Sequence, residues 1–271
     1  MGTIIVRHPA VAGRFYPRDQ ETLLGNLHEY LVPTSERVPA LGCVVPHAGY
    51  MYSGHVAGAV YARMELPPRC IVLCPNHTGK GAPVSMMSEG TWQTPLGSVA
   101  IDHGLAMELL QRFPVLEEDS AAHSSEHAIE VQLPFLQKLR KDIRFVPIAI
   151  GIREFEILDG LGRAIGEMLS AIDERVLVLA SSDMNHYESD RVTRVKDHKA
   201  IEPILALDPR GLYEVVMNEE ISMCGYGPTV AMLTAVKEMG ATSAELVKYA
   251  TSGDISGDRE MVVGYAGILV R

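Results

Sequence analysis

Four stretches of the chain are continuous apolar runs: "GCVVP" at 42–46, "CIVLCP" at 70–75, "RFVPIAIG" at 144–151 and "RVLVLASS" at 175–182. Strands buried on both faces read this way, because helices cover the sheet above and below. Two later segments, "AELVKYAT" (244–251) and "MVVGYAGILV" (261–270), complete the strand set. Between the runs lie "TLLGNLHEYL", "EHAIEVQLPFLQKL", "EFEILDGLGRAIGEMLSAI", "HKAIEPILAL" and "PTVAMLTAVKEMG", all with helical spacing. Such alternation predicts an α/β fold with a mostly parallel sheet flanked by helices. Residues 83–102 predict an antiparallel excursion turning at Gly90 and near Pro95 to Gly97, which makes the sheet mixed. No linker tract or internal repeat divides the sequence, so residues 1–271 are expected to form a single domain.

Composition narrows the class of ligand. The formal net charge is −10 and no run of Lys or Arg is present, which argues against nucleic acid and anionic membranes as partners. The opening "MGTIIVRHPAVAGRFYP" has too short an apolar core for a secretory signal, and no segment has the length of a membrane span. A cytoplasmic protein is expected. The four cysteines lack paired metal-ribbon spacing; Cys43, Cys70 and Cys74 read as small buried hydrophobes on strands.

Ligands of open α/β sheets gather beyond the carboxyl ends of the strands. His47, His77, Asp183 and His186 all fall there, immediately after three of the apolar runs. One histidine at such a place is ordinarily structural, but four polar residues on three strand ends point to a site, and neutral imidazole is a common metal ligand. Gly49, Gly54, Gly79 and Gly81 would allow sharp turns around it, and Tyr50 and Tyr52 either line a pocket or pack on the scaffold. Cys224 precedes a helix opened by Gly225, Gly227 and Pro228, where the positive helix end would favour a thiolate; an inert cysteine in a tight turn is the alternative. "HSSEH" (123–127) matches the H-x-x-E-H pattern of inverted zinc peptidases, yet Ser124 or Ser125 would cap the helix and leave His123 outside it. A structural or ligand-orienting role for Glu126, His127 and Glu130 is the stronger expectation. "SGDISGDRE" (252–260) lacks the ligand spacing of a calcium loop and reads as a solvated connection.

Six ordered blocks, "PAVAGRFYP", "PHAGYMYSG", "PNHTG", "HSSEHAIEVQLPFL", "SSDMNHY" and "CGYGP", together resemble the Memo family, whose prokaryotic members are called AmmeMemoRadiSam system protein B. The family is similar in fold to class III, LigB-type extradiol dioxygenases. By that resemblance His47, His77 and Cys224 form a metal-binding set, with Asp183 and His186 bordering the same pocket. The dioxygenases use two histidines and a carboxylate, so a cysteine in third place prevents ring cleavage from being carried over. The resemblance implies Fe(II) or Cu, with Zn possible, and an AMMECR-type or radical-SAM pathway partner. Three functions stay open: a redox enzyme with His186 as acid/base beside Asp183, a non-catalytic protein binding a peptide or small anion, and a zinc hydrolase.

Overall fold

The computed structural model describes residues 5–34 and 36–271. Four parallel strands form the centre of its sheet, in the order Arg144–Ile150, Arg69–Pro75, Val176–Ser181, Gly42–Val45. Val262–Val270 pairs antiparallel to Gly42–Val45 and is flanked by Ala244–Thr251 and the short His186–Glu188. On the other side, Gly97–Ile101 runs parallel to Arg144–Ile150 and makes a hairpin with Thr91–Thr94, while Val84–Met86 pairs antiparallel with Arg144–Ile150. The excursion expected at 83–102 is therefore present, with Gly90 and Gly97 at φ +105 and +114 in its turns. All six strands read from the sequence are found, and the sheet is mixed and mostly parallel at its core.

Side-chain alternation separates two cores. Val44, Ile71, Leu73, Val146, Ile148, Val178 and Ala180 point to one face, packed by the helices Phe155–Ser170 and Tyr226–Glu238. Cys43, Val45, Cys70, Val72, Cys74, Leu177 and Leu179 point to the other, packed by Gln20–Tyr30, Tyr50–Arg63 and Leu133–Leu139. With both faces covered, every residue of Gly42–Val45 and Val176–Ser181 is buried.

Three longer helices go beyond the sequence expectation, Tyr50–Arg63, His103–Arg112 and Pro209–Asn218, as does the one-turn Gly253–Ser256. Gly54, expected in a turn, lies inside the first of these. A Cβ there would come within 2.6 Å of the Tyr30 ring, so the glycine permits close packing of two helices. The helix expected from Glu126 begins only at Leu133, after a single 3-10 turn at Glu130–Gln132. Residues 252–260 are mostly exposed around a short helix, Gly253–Ser256, as a solvated connection should be.

The parallel register decides where the strands deliver their last residues. Val45 lies opposite Ser181, Leu73 opposite Ala180, and Pro75 opposite Ile150. The segments carrying His47, His77 and Asp183 thus leave the sheet at one edge.

Candidate metal centre

Cys224 closes the site from across the sheet edge. Its Sγ lies 3.2 Å from His47 Nε2, and the donor atoms of His47, His77 and Cys224 are all within 4.8 Å of one another. Gly225 makes this approach possible, because a Cβ there would overlap the Ser181 carbonyl and the Ser182 side chain. Gly225 N–H also donates to Ser182 Oγ at 3.0 Å, tying the cysteine loop to the strand end.

Hydrogen bonds set the tautomers. Ser181 has one hydroxyl proton, and it goes to the Ala128 carbonyl at 2.8 Å. Ser181 Oγ must then accept from His47 Nδ1 at 2.9 Å, as it does from Gln132 Nε2 at 2.9 Å. His47 therefore carries its proton on Nδ1 and leaves Nε2 bare toward Cys224. His77 Nδ1 sits 2.9 Å from Glu126 Oε1, and its backbone N–H donates to Glu126 Oε2 at 2.7 Å. Burial works against the Glu126 charge, but His77 and the backbone donors outweigh it and hold this carboxyl down at about 2. An ionised Glu126 fixes the proton of His77 on Nδ1 and frees its other nitrogen.

A second group, His77, Glu126 and His127, is equally close. Glu126 Oε1 already accepts from His77 Nδ1, His127 N and Ala128 N, which leaves it poorly placed to ligate an ion. Its chemistry is that of an orienting carboxylate. Arg7 and Glu130 form a buried ion pair beneath it, and Arg7 also donates to the Glu126 carbonyl at 2.7 Å. Of the structural or ligand-orienting roles expected for these residues, Glu126 has the orienting geometry, while Glu130 is a buried structural acceptor for Arg7, Tyr16 and the Ala10 and Val11 N–H groups. His127 stacks on His77 with centroids 4.7 Å apart and meets Phe15 at 4.5 Å with the rings tilted by 44°. Burial, followed by the neighbouring His47, lowers it to about 4, so it is neutral at physiological pH.

Asp183 and His186 border the same space. Asp183 Oδ1 accepts from the backbone N–H groups of His47 and Ala48 at 2.8 and 3.3 Å, and its Oδ2 lies 4.0 Å from His47 Nε2. Burial pushes this carboxyl above its ordinary value. The carboxylate thus orients the His47 backbone; its partner is not the His186 imidazole expected from sequence. His186 Nδ1 donates to the Ser222 carbonyl at 2.8 Å and its backbone N–H to Ser222 Oγ at 2.8 Å. Asn185 accepts from Ser222 N and Oγ at 3.1 and 3.0 Å, which locks the His186 loop to the Cys224 loop.

A cleft of about 580 Å³ lies over these groups, lined also by Phe15, Tyr187 and Tyr265. Several alternatives left open by the sequence resolve here. His123 is wholly buried outside any helix, so the peptidase geometry is absent. Tyr50 packs into the core and donates to the Val131 carbonyl at 2.7 Å, leaving it on the scaffold. Burial, followed by the Asp183 charge, pushes the Cys224 thiol up, outweighing the Ser182 hydroxyl and the Gly225 N–H that favour a thiolate. Burial likewise keeps His47 uncharged. Sequence reasoning did not single out Phe15, Ser222, Tyr187 or Tyr265. The φ of +61 at Tyr187, unusual for a bulky side chain, leaves no recognisable pattern in sequence.

These features define an α/β protein with a histidine- and cysteine-lined cleft at the carboxyl edge of its sheet. A family model described as Memo-like protein matches residues 7–269, and the chain belongs to that family. It is 46% identical over 279 aligned residues to a MEMO1 family protein of Methanopyrus kandleri, covering 98% of this chain and 99% of the relative. It is 43% identical to a MEMO1 family protein of Methanosarcina mazei, covering 98% and 99%. Among solved structures, an uncharacterised protein of Escherichia coli K12 shares the fold with a TM-score of 0.51, at 14% identity, over 84% of this chain and 98% of the other. Among the described residues, no helix is long and apolar enough to cross a membrane.

Proposed function

We propose that this chain is a metal-dependent redox protein whose ion is held by His47, His77 and Cys224. The observation that carries the reading is the commitment of both Nδ1 protons to protein acceptors, Ser181 and Glu126. Each imidazole then has its other nitrogen free, and one donor atom from each of His47, His77 and Cys224 lies within 4.8 Å of the others. That donor set suits iron, copper or zinc, and the thiolate favours a soft or redox-active ion. Bound there, iron or copper would supply one-electron chemistry to a ligand in the cleft.

The protein's own contribution is orientation and proton handling. Ser181 and Glu126 aim the imidazoles. Cys224 loses its proton on binding the ion, since the thiolate is the ligand form. His186, with Nδ1–H tied to Ser222, has Nε2 available to accept a proton from a ligand in the cleft.

Metal titration under nitrogen tests the assignment. Alanine at His47, His77 or Cys224 should weaken Fe(II) or Cu binding at least about 100-fold, with normal far-UV circular dichroism. His186→Ala should keep metal affinity within about threefold while slowing turnover by roughly 10²-fold or more in a substrate-linked oxygen-consumption assay. Unchanged affinity in His77→Ala would contradict the assignment.

A further inference from the structure

Asp183 and His186 each turn one unpartnered atom to the cleft over the candidate donors, and both atoms are acceptors. Asp183 is buried, and its Oδ1 is taken by the backbone N–H groups of His47 and Ala48. Its Oδ2, 4.0 Å from His47 Nε2, accepts no hydrogen bond among the described residues. That oxygen is not sealed from solvent, and Asp183 lines the cleft. His186 spends its Nδ1 proton on the Ser222 carbonyl, so the neutral ring offers a bare Nε2. Ser222 cannot answer either of them, since its hydroxyl is engaged with Asn185 and His186.

The walls supply no fixed positive charge. Among the described residues, no Lys or Arg lines this cleft. An anion would meet the Asp183 carboxylate with no guanidinium or ammonium to pair with. A divalent ion on the candidate donors does not reverse this, because the Cys224 thiolate and Glu126 behind His77 already offset its charge before Asp183 is counted. Tyr187, 69% exposed, and the partly buried Phe15 give the cleft aromatic walls, with Val263 and Ala48 beside them. Aromatic faces attract a cation, and a carboxylate oxygen without a partner forms a charge-assisted bond with an N–H donor.

We propose that this cleft takes an organic ammonium ion, held by the Asp183 carboxylate at Oδ2, with its apolar body against Phe15 and Tyr187. His186 Nε2 is a second acceptor for its N–H groups. The binding rests on these residues alone, and its role as a substrate beside the ion rests on the metal reading above.

Ligand-observed NMR titration of the whole protein near neutral pH, with and without Zn(II), tests the proposal with benzylammonium, benzyl alcohol and benzoate as probes. Benzylammonium should bind in both states, with benzyl alcohol and benzoate each at least fivefold weaker. Asp183→Asn, which keeps an acceptor for the His47 and Ala48 N–H groups, should weaken benzylammonium at least fivefold and leave benzyl alcohol within twofold. Tyr187→Ala should weaken benzylammonium at least twofold. No benzylammonium binding, benzoate bound as tightly as benzylammonium, or unchanged benzylammonium binding in Asp183→Asn would each overturn the proposal. Metal affinity measured on the same variants separates the two readings. His77→Ala should bind benzylammonium without zinc whatever its Fe(II) affinity, and Asp183→Asn should keep its Fe(II) affinity within about tenfold; a larger loss would make Asp183 a ligand of the ion and overturn the proposal.

Discussion

At the residue scale, Glu126 decides whether His77 can serve as a ligand. Its carboxylate takes the Nδ1 proton and the backbone N–H of His77, along with the N–H groups of His127 and Ala128. A neutral amide cannot accept at all of these points, since one of its two polar atoms is a donor. Glu126→Gln should therefore lower metal affinity roughly 10- to 100-fold while the circular dichroism spectrum stays native. A competition titration against a chromophoric chelator measures this, and an affinity equal to wild type would deny Glu126 its orienting role. Of the candidate donors, His47 and His77 were readable because each follows a strand and the register aligns those strand ends, whereas Cys224 stands just before a helix and joined them through the family resemblance. What holds them was less so. Ser222 looks like any loop serine in sequence, and its contacts with Asn185 and His186 span 37 and 36 positions of chain.

At the scale of elements, legibility follows periodicity. Strands buried on both faces stand out as apolar runs, and all six were found. The Tyr50–Arg63 helix did not stand out, because nine of its fourteen residues are buried and no polar face alternates with an apolar one. Its Gly54, read as a turn residue, instead admits Tyr30. The opposite error occurred at Glu126, where helical spacing is present but the side chain accepts from nearby backbone donors and holds an irregular turn. A buried carboxyl joins the elements on the far side of the site. Asp197, on the Asp190–Leu205 helix, accepts from Asn185 N at 2.8 Å and from Tyr249 OH at 2.6 Å, against the backbone of Gly264. Burial raises it to about 7, although Tyr249, Asn185, His198 and Arg194 all pull the other way. The folded state then holds a proton that the unfolded chain releases near 3.8, so this group's contribution to stability falls as pH rises from about 3.8 to about 7 and is level above that. Asp197→Asn should be more stable than wild type by roughly 1–3 kcal/mol at pH 8, with the gap closing toward pH 4. Urea midpoints at the two pH values check this; a gap that does not shrink would contradict the assigned protonation.

At the scale of the whole molecule, the donors hang from the ends of a sheet with a core on each face, so the fold does not depend on the ion. Removing metal with a chelator should leave the far-UV spectrum unchanged. Reloading should raise the melting temperature by about 5 °C or more once free metal exceeds about 100 times its dissociation constant, as expected for a ligand that binds only the folded state. Collapse of secondary structure on chelation would mean that the site is built by the ion.

The central claim is that a sulfur from the end of one loop completes a set begun by two histidines at strand ends. X-ray absorption at the metal edge tests it directly, on wild type and Cys224→Ser loaded anaerobically with iron or copper. The predicted result is one sulfur scatterer together with imidazole nitrogens in wild type, and loss of the sulfur shell in Cys224→Ser. A wild-type spectrum with no sulfur, or a sulfur shell that survives the substitution, would contradict the account.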